Sequence, residues 1–459
     1  MAGRRTIRRI GRRRFIGAGG ALAAAAVAPW VWVPREVRAT EGFGTIKHLL
    51  YVRLSGGFRF PVAFNGDLDS QYNPFGTTSG ADGTEWGPGQ LLAQNEWLTE
   101  EVAAVGLQPV TSFTNDMAVI GTVDHEPLSG SADGNHQTAL ERYATGYVNG
   151  ANGLFTMLNF GLREQTMMDA AEGIIKLPAI VMGEPAIGRS TGEYGAFRPA
   201  VLRGDDLDRF AAGASDALPE WARALSEGRD EKLAQVVNDQ HFSTVDAYIQ
   251  SREATKAYSE IFASDALKIG QGGGEMIDGI TNDELAAAFG DSGEGRNAHL
   301  ALRLFHFGCP AVYFDQGGYD YHSDEEEELP MRIQGMNRLL SALNWALKRM
   351  EHPEGGTYWD HTVVVLGSEF SRTGRGARFN SAQGSDHNGD NATRYMCMPF
   401  MGGPIAAKGR LIGPTDPSTM EAVDKVYSYR SMWNTIMDGL GAETNEFFPA
   451  DEPFDDLYI

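Results

Sequence analysis

The chain has 459 residues, 42% of them hydrophobic, and a formal charge of -22 at pH 7. That is enough apolar material for a large core, as one big domain or one domain with an elaborating insertion. So acidic a balance argues against a nucleic acid or an anionic membrane as a bulk electrostatic partner, and it suits a soluble exported protein or one that collects cations. Two cysteines, Cys309 and Cys397, exclude a disulfide framework and a cysteine-built metal cluster, and no Cys-x-x-Cys-His haem motif is present.

The first 39 residues read as an export signal rather than as fold. A basic stretch, "MAGRRTIRRIGRRR", precedes the apolar "FIGAGGALAAAAVAPWVWV", and Val37–Ala39 resembles a signal peptidase site. Within it "RRRFIG" sets Arg12 and Arg13 just ahead of Phe15, the twin-arginine pattern. The expected partner is therefore the twin-arginine translocase, which carries folded proteins, and the expected location is periplasmic or secreted. The alternative is a retained anchor, since the apolar run is nearly long enough to span a bilayer. Removing the segment takes away nine arginines and one glutamate, so the remainder, residues 40–459, is more acidic still.

Next along the chain, near-continuously apolar runs recur: Ile46–Gly56, Met117–Val123, Leu177–Gly183, Cys309–Gly318 and His361–Phe370. Such runs predict strands of a mainly parallel sheet covered on both faces. Helical patterns alternate with them, in "NHQTALERYATG", "LPEWARALSE", the long segment from Glu231 to Ala263, "RNAHLALRLFHFG" and "LPMRIQGMNRLLSALNWALKRM". The fold class is thus an α/β sandwich with helices on both faces of the sheet. Gly270–Arg296, glycine-rich and acidic, is expected to be a mobile surface excursion rather than a core piece.

Ligands of open α/β sheets gather beyond the carboxyl ends of strands. Asp320 and His322 follow "AVYFDQGG", Glu369 follows "HTVVVLGS", and Asp386 and His387 stand in "GSDHNGD". Carboxylates and imidazoles so placed form either a shared divalent metal site or a set of solvated turn residues. The run "SDEEEE" has a plainer explanation: Ser323 with Glu326 fits a capping box, and carboxylates in a first turn complement the helix dipole.

The order "GGYDYH", a long amphipathic helix, "WDHTVVVLGSEFSRTGR" and "GSDHNG" resembles the exported bacterial family catalogued as domain of unknown function 1501, of the alkaline phosphatase and sulfatase superfamily. The match is specific across Cys309–Gly389, and looser upstream in "LLYVRLSGG" and "GNHQTALERYATG". The resemblance implies an alkaline-phosphatase-like sandwich and a hydrolase of phosphate or sulfate esters dependent on a divalent metal, zinc, manganese or calcium. It assigns Asp320, His322 and His387 to a first metal, Glu369 to a second, and His136 to the start of the site helix. Two departures stand out, one at the second metal site and one at the nucleophile. Phe58 and Arg59 stand where the family carries an aspartate, Arg59 reading as a surface arginine or as a stand-in for the second cation. Asn135 replaces the helix-start serine, and an amide cannot form the covalent ester that serine does; Ser129, Ser131 or Thr138 as nucleophile, and Asp67 or Asp69 as ligand, stay open. Hydrolysis would then proceed by water with His136 as acid or base. The alternative is a non-catalytic exported binding or scaffold protein that retains the fold, and the small-molecule or polymer substrate is not specified by these residues.

Overall fold

The structure, a computed structural model, describes residues 46–458 except 66–72, 74, 77–84, 95–99, 127–135, 149, 151, 172–175, 184–187, 203–259, 271–275, 373–379, 382–383, 387–393, 417, 420, 443–446 and 455–456. The expected export signal, "LPEWARALSE" and most of the long helical pattern after it lie outside the described residues.

The strands are β1 (His48–Leu54), β2 (Met117–Asp124), β3 (Ile180–Met182), β4 (Ala200–Leu202), β5 (Ala311–Gln316), β6 (Thr362–Gly367), β7 (Asn380–Ser381), β8 (Gly384–Ser385), β9 (Tyr395–Met401), β10 (Leu411–Ile412) and β11 (Tyr427–Ser428). Among the described residues they form a nine-stranded sheet in the order β10-β2-β9-β6-β1-β5-β3-β4, with β11 also on β2, and a separate β7-β8 hairpin. Only β9 runs antiparallel, to β2 and β6; the other pairings in the large sheet are parallel. Each residue of β1, β2 and β6 is buried, which is why these strands read as unbroken apolar runs and not as alternating ones.

Helices cover both faces, as the sequence predicts. The longer ones are α1 (His136–Thr145), α2 (Leu154–Gly161), α3 (Arg163–Ala171), α4 (Asn282–Phe289), α5 (Gly293–His306), α6 (Glu325–Leu347) and α7 (Tyr429–Gly439). Successive side chains of β1 point to opposite faces. Tyr51 stacks on Tyr143 of α1, at 5.5 Å, and meets Phe155 of α2 and Trp433 of α7. His48 lies on the other face against Phe305 of α5, with centroids 4.7 Å apart. Among the described residues no helix is long and apolar enough to cross a membrane.

His48 also opens a relay of neutral imidazoles at the amino end of the sheet. Its Nδ1 donates to Cys309 O at 2.8 Å, which leaves Nε2 as an acceptor 3.2 Å from His352 Nε2. His352 Nδ1 accepts the Glu354 N–H, so His352 Nε2 carries the hydrogen. Burial pushes His48 down to about 3 and His352 to about 4.

Two expectations need correction. From Ile277 onward the glycine-rich segment is not a surface excursion: Ile277, Ile280, Leu285, Ala288 and Phe289 join the core, and α4 starts on a Thr281–Glu284 capping box. Its apolar residues at helical spacing outweigh its glycines. Ser323 does not cap α6, which begins at Glu325 behind Asp324. Asp324 takes the cap position in the left-handed region, φ 59°, where its carboxylate cannot turn back onto the helix. The four glutamates of the first turn still face the positive end of the dipole.

Candidate active site at the carboxyl ends of the strands

Beyond β1 the chain turns through Gly56 and Gly57, at φ 115° and 79°. A Cβ on Gly56 would stand 2.5 Å from Asp320 N, and one on Gly57 would overlap the Phe370 ring. Only glycine permits both the conformation and the approach. The turn aims the Gly56 N–H at Glu369 Oε1, 2.9 Å away, just past the end of β6. From α7, the Tyr429 hydroxyl contacts the Ser368 and Glu369 carbonyls at 2.7 and 2.9 Å, fixing this strand end.

Glu369 is buried, at 3% exposure, and besides the Ser368 hydroxyl, which donates to Oε2 at 3.3 Å, it faces His136 and Arg53. His136 Nδ1, at the first residue of α1, lies 3.3 Å from Oε1, and Arg53 Nη1 lies 3.7 Å from Oε2. Burial alone would raise the Glu369 pKa; the His136 hydrogen bond, the Arg53 charge and the backbone N–H outweigh it and hold the carboxyl below its ordinary range. Arg53 is set by register, because it pairs across the ladder with Asp315 of β5. Its Nε and Nη2 donate to the two Asp315 oxygens at 2.8 and 2.9 Å, a bidentate arrangement.

His136 bridges two carboxylates. Its Nε2 stands 3.4 Å from Asp320 Oδ2 while Nδ1 faces Glu369. Nδ1 makes the hydrogen bond to Glu369, while Nε2 makes only a charge contact with Asp320, and two carboxylates so close favour the protonated ring. The Glu369 hydrogen bond is the main cause holding the His136 pKa above its ordinary value. The ring rests on Phe370 at 4.9 Å.

Asp320 is half exposed and meets His322 and Arg372 as well. His322 Nε2 is 3.2 Å from Asp320 Oδ1, and its Nδ1 is 3.7 Å from Asp386 Oδ1. Burial raises the Asp320 pKa but Arg372, His136 and His322 outweigh it, and the net shift is downward.

The structure therefore brings together His136, Asp320, His322, Glu369 and Asp386. Asn135, His387, Ser129, Ser131, Asp67 and Asp69 lie outside the described residues. Among the described residues no group of three or more His, Cys, Asp or Glu stands in metal-binding geometry. Asp386 faces the nitrogen of His322 that points away from Asp320, 3.7 Å off.

Arg59 is not a surface arginine: it is 2% exposed and lies 3.4 Å from Glu325 Oε2, itself 1% exposed. Burial pushes Glu325 up to about 7 against the pull of Arg59 and Arg372. Phe58 packs edge-on against Phe60 and Tyr319. Sequence reasoning missed Arg53, Glu325 and Arg372 as site residues; the one signal was Arg372 standing inside "SEFSRTGR".

The chain is similar in structure to a protein in the alkaline phosphatase superfamily from Vibrio parahaemolyticus, with 9% identity and a TM-score of 0.35, over 93% of this chain and 75% of that one. It is also similar to the C-terminal periplasmic domain of EcEptC from Escherichia coli, with 10% identity and a TM-score of 0.28, over 88% and 85%. No curated protein matches it in sequence. The sequence profile of the family described as protein of unknown function DUF1501 matches residues 187–454, more than half of the chain, and the chain belongs to that family.

Proposed function

We propose that this is an exported hydrolase of phosphate or sulfate esters that uses one divalent metal ion, zinc, manganese or calcium. The observation that carries the reading is His136, held with both nitrogens on Glu369 and Asp320 beyond the ends of β1, β5 and β6. The donor set suits a single ion. Asp320 and His322, 3.2 Å apart, would be the residues that hold it. Asp386 behind His322 would fix its tautomer, and the resemblance adds His387 as third ligand. When bound, such an ion supplies Lewis acidity and neutralises the ester's charge.

The protein's own groups do the rest. An imidazolium at His136 would donate a proton to the leaving alkoxide oxygen as the bond from phosphorus or sulfur to that oxygen breaks; water forms the new bond, and the proton it loses returns to the His136 imidazole. Glu369 stabilises that imidazolium and keeps its ring aimed at Asp320, while Arg53 and the Gly56 N–H keep Glu369 ionised. The signal-like first 39 residues support export of the folded chain.

A binding or scaffold role is the second reading, favoured by the saturation of the site: Arg53 on Asp315, Arg59 on Glu325 and Arg372 on Asp320. A panel of phosphate monoesters, phosphodiesters and sulfate esters, assayed with each metal, separates the two. The hydrolase reading expects turnover that falls about 100-fold or more in His136→Gln; a folded, metal-supplemented protein that turns over none of them overturns it.

A further inference from the structure

Arg372 is buried, at 2% exposure, although it borders a half-exposed site. Its guanidinium nitrogens meet five oxygens. Nε donates to Gly57 O at 2.9 Å, Nη1 to Tyr321 O at 3.1 Å and Ser385 O at 3.2 Å, and Nη2 to Gly56 O at 2.5 Å and to Asp320 Oδ1. Five donors is all a guanidinium has. The acceptors come from three separate segments: the exit of β1, the loop after β5, and β8.

We propose that Arg372 is a built-in cation of the site, a guanidinium held in an all-oxygen cage that joins the three strand-end loops and positions Asp320. The residue does not itself reach a substrate, since its N–H groups are spent on the protein. Its effect passes through Asp320. With Arg372 on Oδ1 and His136 facing Oδ2, both carboxylate oxygens already meet a cation, and His136 fills the space between Asp320 and Glu369 that an ion bridging them would need. An ion at this site would then have to be held on the His322 side, sharing Asp320 Oδ1 with Arg372. This step rests on the reading of Asp320 as the site carboxylate; the cage itself does not depend on any activity.

The cage makes a specific demand, a planar cation with several N–H donors, and that demand is testable by chemical rescue. Arg372→Ala empties it. Thermal unfolding of the variant is followed with and without guanidinium or methylguanidinium chloride at concentrations far below denaturing ones, with sodium chloride and urea as controls. The expected result is a lowered unfolding temperature that the two guanidinium ions, and neither control, restore in large part. A response to guanidinium no greater than to sodium chloride overturns the proposal. Should Arg372→Ala not fold, Arg372→Lys and Arg372→Gln decide: the cage requires the charged lysine to unfold at the higher temperature, and glutamine matching or exceeding it refutes the cation role. Because the readout is unfolding, loss of the hydrolase reading and loss of the cage are told apart.

Discussion

The Arg59–Glu325 pair is buried on both sides, with exposures of 2% and 1% and a separation of 3.4 Å. Its two halves are not equivalent when broken. Glu325→Leu leaves a guanidinium that cannot shed its proton without its counter-charge, though it keeps the Gly384 carbonyl, and removing one partner of a buried pair costs about 3–5 kcal/mol. Arg59→Met strands a carboxyl already raised to about 7, which takes up a proton and escapes most of that penalty. The double variant Arg59→Met/Glu325→Leu replaces charge by apolar volume and is expected within about 1 kcal/mol of the parent. Urea unfolding followed by tryptophan fluorescence gives the four free energies and hence the coupling. Losses that simply add in the double variant, or equal losses in the two single ones, would refute the reasoning. The same pair sets a pH dependence. A carboxyl whose folded pKa is raised from 4.5 to about 7 contributes stability below pH 4.5 that is lost as pH rises toward 7. The shift amounts to about 3 kcal/mol, and Glu325→Gln should abolish this component.

The imidazole relay acts in the opposite sense. With His48 held at about 3 against an ordinary 6.5, the unfolded chain binds a proton that the folded chain excludes, so stability is lost as pH falls below 6.5. The loss reaches about 3 kcal/mol at pH 4; His48→Asn, which keeps a donor for Cys309 O, should lower the midpoint of acid unfolding by circular dichroism, and an unchanged midpoint contradicts the relay. At the β1 exit, Gly56→Ala forces a Cβ against Asp320 N at a φ of 115°, and a loss of about 2–4 kcal/mol is expected in urea unfolding; a loss below about 0.5 kcal/mol would mean the close approach is not needed.

Much of the sheet is legible in the sequence for one physical reason: strands buried on both faces, such as β1, β2, β5 and β6, carry apolar residues at nearly every position. β9 escapes the same reading because its buried residues in "YMCMPFM" are methionine, cysteine, proline and a single phenylalanine, with no β-branched side chain. The β7-β8 hairpin is two residues per strand and leaves no period at all. In the site, Asp320, His322 and Glu369 are visible as polar residues directly after apolar runs, and His136 as the start of a helical pattern. The roles of Arg59 and Arg372 are not visible, because Glu325 and the carbonyls of Gly56, Gly57, Tyr321 and Ser385 reach them from distant segments of the chain. Asp386 shows the same limit more finely, since its part depends on which nitrogen of His322 it faces.

The central claim is a single metal ion on Asp320 and His322, and the metal content of the protein purified without chelator tests it most directly. Inductively coupled plasma mass spectrometry of the parent, Asp320→Asn and His322→Ala is expected to show one equivalent of zinc, manganese or calcium in the parent and none in either variant. No metal in the parent, a metal retained by both variants, or two equivalents in the parent would contradict the account.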